Sequence, residues 1–295
     1  MISHSQLAPQ RPDRVVLLGG NGFIGDAIRR QLLGRDVNVL APASADCNLL
    51  DPQSAAQLQS MLRPLDAVVM AAALTPDRGR DMGTFMKNLA MVQHLAAALA
   101  AVPCTHLVYF SSDAVYPAEL SRVAEAAPAS PRDLYGVMHY AREVMLREVK
   151  HVPILILRPT LVYGARDTHN AYGPNRFCRS AAGEGTISLF GEGEELRDHV
   201  HVDDVARLTV RCILHRSRGT LNVATGTSMS FRAVAQTVAG RFAPRQIDIR
   251  STPRVTPVTH RHYDVANLVK AFPDFRFTAF EAGIAALVTD LQGEK

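Results

Sequence analysis

A chain of 295 residues, 47% of them hydrophobic, has material for one large domain or two joined ones and is neither a disordered tail nor a mini-protein. Its 32 basic and 28 acidic residues leave a net charge of +4, but the two signs are mixed along the whole length without a basic block, which argues against nucleic acid as a partner. Cys47, Cys104, Cys178 and Cys212 lie far apart with no C-x-x-C pair and no secretory leader, so the expectation is reduced thiols in a cytoplasmic protein. No stretch reaches the ~18 to 20 apolar residues of a membrane span.

The first fourteen residues are polar and carry no predicted element. Val15–Leu18 then reads as a buried strand, Phe23–Leu33 as a helix and 37–40 as a second strand, which is a βαβ opening. The alternation continues with a strand at 66–72, a long helix at 84–101, a strand at 106–111, a helix at 132–149 and a strand at 154–157. Strands apolar throughout imply a parallel sheet covered on both faces. The fold class is therefore α/β, a doubly wound parallel sheet of Rossmann type with a smaller, discontinuous C-terminal substrate domain. Residues 163–198 are rich in Gly, Arg and Asn, 243–263 are irregular with three prolines, and Val202–Leu214 and 220–224 return to the core pattern between them. The expected division is 12–165 plus about 200–242 for the dinucleotide-binding domain, and about 166–199 plus 243–295 for the substrate-binding domain.

Gly19-Gly20-Asn21-Gly22-Phe23-Ile24-Gly25 follows the first strand and opens the first helix. In that context glycines make a tight turn and let backbone N–H groups and a helix N-terminus meet a pyrophosphate, so Gly19, Asn21, Gly22, Phe23, Ile24 and Gly25 are the candidate cofactor turn. The carboxylate that usually binds the adenosine ribose after the second strand is missing, since Ala41-Pro42-Ala43-Ser44 stands there. Nothing at that place repels a 2′-phosphate, and the expectation is NAD(P)(H) with a lean to NADP(H).

Ser112 follows the 106–111 strand at the carboxyl edge where such sheets bind ligands. Together with that loop, Ser111-Ser112-Asp113-Ala114-Val115-Tyr116, Tyr135-Gly136 at a helix start, Arg158-Pro159-Thr160-Leu161-Val162-Tyr163-Gly164 and Arg197-Asp198-His199-Val200-His201-Val202-Asp203-Asp204-Val205-Ala206 carry a resemblance across nearly the whole chain. The chain resembles the extended short-chain dehydrogenase/reductases, in particular their nucleotide-sugar epimerases, dehydratases and 4-keto reductases. The resemblance implies NAD(P)-dependent hydride transfer on a nucleotide-activated sugar, with Tyr135 as acid/base and Ser112 orienting the reacting oxygen. It also implies cofactor contacts from Ala71, Ala72, Pro159, Tyr135 and the residue four after the tyrosine. Substrate contacts are implied for Asn175, Arg176, Arg197 and Arg261, since arginine forks suit phosphate oxygens.

The chain departs from that pattern where Tyr-x-x-x-Lys reads Tyr135-x-x-x-His139. Spacing i,i+4 keeps the ring on the tyrosine's face, but a histidine is mostly neutral at pH 7 and supplies only a fraction of the charge. His139 charged in place, help from Arg142, and loss of the redox step are the three outcomes. The last would leave a cofactor-binding member with a regulatory or scaffold role. Asp113 matches the acid of dehydratases, but Ala114 stands where those enzymes carry glutamate, which disfavours dehydration and leaves Asp113 as either a cap or a catalytic group. No metal is expected: His199 and His201 alternate before Asp203-Asp204 and His260 brackets Arg261 with His262, but the first cluster reads as a strand entering a helix with Asp203 or Asp204 as its cap, and no third and fourth ligand stands at a metal-site spacing. A homodimer through the helices at 84–101 and 132–149 is implied, although their apolar faces equally suit an intramolecular core.

Overall fold

A computed structural model describes residues 2–293, so Met1, Glu294 and Lys295, the last two being the end of the expected second unit, lie outside it. A seven-stranded sheet runs in the spatial order Ser3–His4, Ser217–Val223, Ile154–Pro159, His106–Phe110, Ala67–Met70, Val15–Leu18, Val39–Leu40. Six strands are parallel, and Ser3–His4 adds antiparallel to Ser217–Val223. That edge strand was not readable in the sequence. It is two residues long, and His4 is held by contacts far along the chain, its Nδ1 2.8 Å from the Ser217 hydroxyl.

Val15–Leu18 and Ala67–Met70 are buried along their entire length, as strands covered on both faces must be. One face packs on the Phe23–Leu33 and Val202–Leu214 helices through Ile28, Leu32, Val205 and Leu208. The other packs on Ser54–Met61, Met82–Ala101 and Leu134–Arg147 through Leu58, Val92, Leu95 and Leu146. After Val15–Leu18 the chain goes first to Val39–Leu40 on one side and then crosses to Ala67–Met70 on the other, so the strand order reverses at Val15–Leu18. The crevice beyond the carboxyl ends of these strands is where such sheets take ligands.

A second core is built by Phe177, Ile187, Leu189, Phe231, Val234 and Ile284. Its strands are Leu161–Tyr163, Leu196–His201 and Ser228–Ser230 in one small sheet, and Thr186–Phe190 paired with Asp248–Thr252 in another. The Phe231–Gly240 helix, placed by the sequence reading with the sheet domain, packs here. Conversely Leu268, Phe272 and Phe275, read with the second unit, pack onto the large sheet. No helix among the described residues is long and apolar enough to cross a membrane.

Candidate active site

The glycine turn is shaped by what lies against it. Gly19 has φ +90°, and a Cβ there would stand 2.7 Å from the Ala72 amide nitrogen. A Cβ on Gly25 would be driven into the Gly19 carbonyl oxygen, and one on Gly22 would come within 3.3 Å of that same oxygen. The turn closes by the Gly22 N–H donating to the Gly19 carbonyl at 3.0 Å, and Gly22 caps the Phe23–Leu33 helix with no side chain on its first amides. A cradle that only glycine fits, ending on a helix N-terminus free of side-chain partners, suits a pyrophosphate. At the adenosine end, Ala41 packs against Gly20, and the Asp46 carboxylate accepts the Ala43 N–H at 3.0 Å. Arg29 and Arg30 are both on Asp26, as is Arg166.

Ser112 and Tyr135 are brought together by a glycine. A Cβ on Gly136 would meet Pro131 at 2.7 Å and collide with the Ala114 carbonyl, so glycine alone lets the Leu134–Arg147 helix seat against the turn at Asp113–Val115. Asp133 caps that helix by accepting the Gly136 N–H at 2.8 Å. The Ser112 hydroxyl accepts the Ala114 N–H at 3.1 Å and lies near enough to the Tyr135 phenol to pull its pKa down. Burial pushes the phenol up to about 12, against the pull of Ser112 and of Arg142. A cavity of about 170 Å³ opens beside it, lined by Leu74, Arg80, Phe85, Asn88, Tyr135 and Met138.

His139 lies beneath this surface at 3% exposure, its ring edge-on to Tyr135 at 4.7 Å. Nδ1 is 2.9 Å from the Tyr109 hydroxyl, and the buried Nε2 has no partner. Burial, then Arg142, push its pKa well below the usual histidine value, so the fractional charge expected of it is not supplied. The free Nε2 suits a ribose hydroxyl, which together with the glycine cradle makes the residues present a fit for a nicotinamide dinucleotide. Arg142 is completely buried, donates to the Ala72 carbonyl at 2.8 Å, and lies over the Tyr109 ring at 5.3 Å.

Asp113 does not cap; Ser112 does. Its carboxylate accepts instead from Tyr263 and Arg261. Tyr263 escaped the sequence reading, although its spacing of two from Arg261 would put both on one side of an extended segment. The other Arg261 nitrogen donates to the Pro117 carbonyl at 2.9 Å. Both terminal nitrogens of Arg197 are likewise engaged, on Glu195, Leu196 and Thr259. Asn175 is buried, donating to Asp167 at 2.6 Å and accepting the Gly164 N–H at 3.1 Å. Arg176 is exposed without a hydrogen bond among the described residues. The structure thus assembles Ser112, Asp113, Tyr135 and His139, but gives Asn175, Arg197 and Arg261 protein partners in place of open anion forks.

The helix Val202–Leu214 is capped by His201, whose Nδ1 accepts the Asp203 N–H at 3.3 Å, and not by Asp203 or Asp204. Asp204 instead accepts the Thr278 N–H at 2.7 Å. His199 is buried between Phe231 and Phe280. Among the described residues, no three His, Cys, Asp or Glu are grouped to hold a metal ion.

This fold and site define an NAD(P)-dependent enzyme of the epimerase and oxidoreductase kind. The chain belongs to the NAD dependent epimerase/dehydratase family, whose model matches residues 15–224. It is 25% identical to the ADP-L-glycero-D-manno-heptose-6-epimerase of Alkalilimnicola ehrlichii over 92% of this chain and 95% of that protein. With the GDP-L-fucose synthase of Escherichia coli it shares 24% identity over 92% and 94%. Its fold matches that of UDP-N-acetylglucosamine 4-epimerase from Methanobrevibacter ruminantium with a TM-score of 0.83 at 21% identity, covering 97% of this chain and 100% of that one. A GDP-L-fucose synthetase from Naegleria fowleri bound to NADP gives 0.81 at 18% identity, over 99% and 97%.

Proposed function

We propose that this chain transfers hydride to or from a carbon of a nucleotide-activated sugar, as a 4-keto reductase or an epimerase. The observation that carries the reading is the seating of the Tyr135 helix, through Gly136, against the turn that carries Ser112 at the carboxyl edge of the sheet, beside a glycine turn that fits a dinucleotide. A nicotinamide dinucleotide supplies or accepts the hydride. Tyr135 gives its proton to the sugar oxygen when a carbonyl is reduced and takes it back when an alcohol is oxidised, while the Ser112 hydroxyl holds that oxygen. Asp113, tied to Tyr263 and Arg261, anchors the turn that carries Ser112. The two curated relatives are named for nucleotide-activated sugars, which supports that substrate class. Of the four implied substrate residues, Arg176 is the one whose side chain has no hydrogen bond among the described residues, which suits it to a phosphate. The missing ribose carboxylate favours NADP(H).

A second reading is favoured by one observation, the neutral buried His139 in place of a lysine: a dinucleotide-binding protein without turnover. Purified protein incubated with NADPH or NADH across a panel of nucleotide sugars and 4-keto sugars separates the two. Cofactor consumption or C-epimer formation that Tyr135→Phe abolishes supports the enzyme; tight dinucleotide binding with no reaction on any substrate supports the binding protein.

The same reading includes a homodimer. Met82 and Met86 on one helix, with Val137 and Val144 on its neighbour, are exposed at spacings of four and seven that put each pair on a single face.

A further inference from the structure

Arg142 is buried with 0% exposure and, among the described residues, has no carboxylate partner. The adjacent Glu143 is taken by Arg158, at 2.6 and 2.8 Å, and by Arg147 at 3.1 Å. What surrounds the guanidinium is the Ala72 carbonyl, the Met138 sulfur at 3.8 Å and the face of Tyr109, and its Nε has no partner. A permanent charge buried without a counter-charge is costly, and arginine does not shed its proton to escape. The cost is offset wherever negative charge develops nearby.

Helix geometry says where that is. Tyr135, His139 and Arg142 are at i, i+4 and i+7, one stripe of the Leu134–Arg147 helix, and helical side chains lean toward the N-terminus. The bond from Arg142 back to Met138 shows that lean. The guanidinium is thereby carried toward Tyr135, the group that becomes an anion when it gives up its proton. We propose that Arg142 supplies, from one turn further along the helix, the positive charge that His139 does not, and so holds Tyr135 ready to ionise. Arg142 acts on Tyr135 through space, as a positioning residue. This rests on the role proposed for Tyr135, yet its test needs neither cofactor nor substrate.

Other titratable groups face the phenol from each packed element: Asp113 from the turn, Asp133 from the helix cap, Arg80 and Asp81 from the cavity wall, with the neutral Tyr109 from the strand and the neutral His139 on its own helix. All of these remain in the variants compared below, apart from His139 in one of them. Tyrosines are replaced by 3-fluorotyrosine, which brings phenol ionisation into an accessible pH range. Fluorine NMR of the cofactor-free protein then follows Tyr135, its resonance assigned by Tyr135→Phe. Arg142→Gln, which keeps a donor for Ala72, is expected to raise the Tyr135 midpoint by about one pH unit or more, the scale of an adjacent opposite charge. Arg142→Lys keeps it within a few tenths. The double variant His139→Lys/Arg142→Gln, with the cation moved one turn back, returns to the wild-type midpoint. Equal shifts in Arg142→Gln and Arg142→Lys, or none in Arg142→Gln, overturn the proposal. Should Arg142→Gln not fold, a double variant whose midpoint lies a unit below wild type overturns it equally, since the cation at 139 then acts on Tyr135 with nothing lost at 142. A silent substrate panel together with a moved midpoint would defeat the proposed activity while leaving Arg142's role intact.

Discussion

Acidification should unfold this protein through its buried histidines, and His199→Phe should isolate one of them. Burial depresses His199 to about 3 and His106 to about 4, from an ordinary value of 6.5, and Arg197 adds to the effect at His199. His139 shifts in the same direction. Below about pH 6.5 the unfolded chain takes protons that the native state refuses, so the stability these residues contribute is present above that pH and is lost as pH falls. By pH 5 the loss is about 2 kcal/mol each for His199 and His106. Asp198 opposes them: burial raises its carboxyl to about 6 despite the Thr225 and Gly226 N–H groups, so the native state keeps a proton that the unfolded chain has released. That returns about 1 kcal/mol at pH 5. Urea unfolding of wild type and His199→Phe at pH 8 and pH 5 measures the difference, and any packing offset from the new ring cancels between the two pH values. His199→Phe should lose about 2 kcal/mol less than wild type on acidification, roughly 0.5 to 1 M in the urea midpoint. Parallel losses would mean that His199 is protonated in the native protein, and would refute its burial as a neutral ring.

Gly25→Ala should abolish dinucleotide binding, read by fluorescence titration, because its methyl meets backbone at Gly19 and has no flexible neighbour to displace. Glu143→Gln leaves Arg158 charged and buried at 4% exposure and weakens the acceptor for Ser111; a loss of about 3 to 5 kcal/mol and a melting point lower by roughly 5 to 15 °C should follow in calorimetry. Met86→Glu with Val144→Glu should leave a folded monomer in sedimentation if the two exposed helix faces meet in a dimer. Cys178 and Cys212, pushed up to about 12 by burial, should resist thiol reagents at pH 8 until the chain is unfolded.

The parts of the fold visible in the sequence are those determined by local pattern. Val15–Leu18, Phe23–Leu33 and Val202–Leu214 stand as read, because an uninterrupted apolar run or a helical stripe ends there on a glycine, a cap or a turn. The strand read at 66–72 stops at Met70 for a reason outside its own sequence: beyond it, Ala71 keeps one bond to the Leu18 carbonyl, and Ala71 and Ala72 form the floor under Gly19. Side-chain partners were legible only by residue type. Arginine at 197 and 261 pointed to anions, and anions do hold them, but these are Glu195 and Asp113 of the protein itself, with Thr259 brought in from 62 residues away. His201 as a helix cap was missed because histidine is not among the usual capping residues, whereas Asp203 and Asp204 beside it are.

The helix Leu134–Arg147 shows how far spacing alone carries an argument about chemistry. Positions four and seven after Tyr135 were bound to share its face, so the neighbourhood of His139 and Arg142 followed from helix geometry. The charge state of His139 did not, because it is decided by depth. Sinking His139 beneath the surface leaves it neutral, while the same depth cannot neutralise Arg142 and instead leaves its charge unscreened. A tyrosine pushed up by burial needs a nearby cation more than an exposed one does, and low dielectric is also what lets a cation act from a turn away. On the proposed roles, burial therefore creates both the demand at Tyr135 and the reach of Arg142.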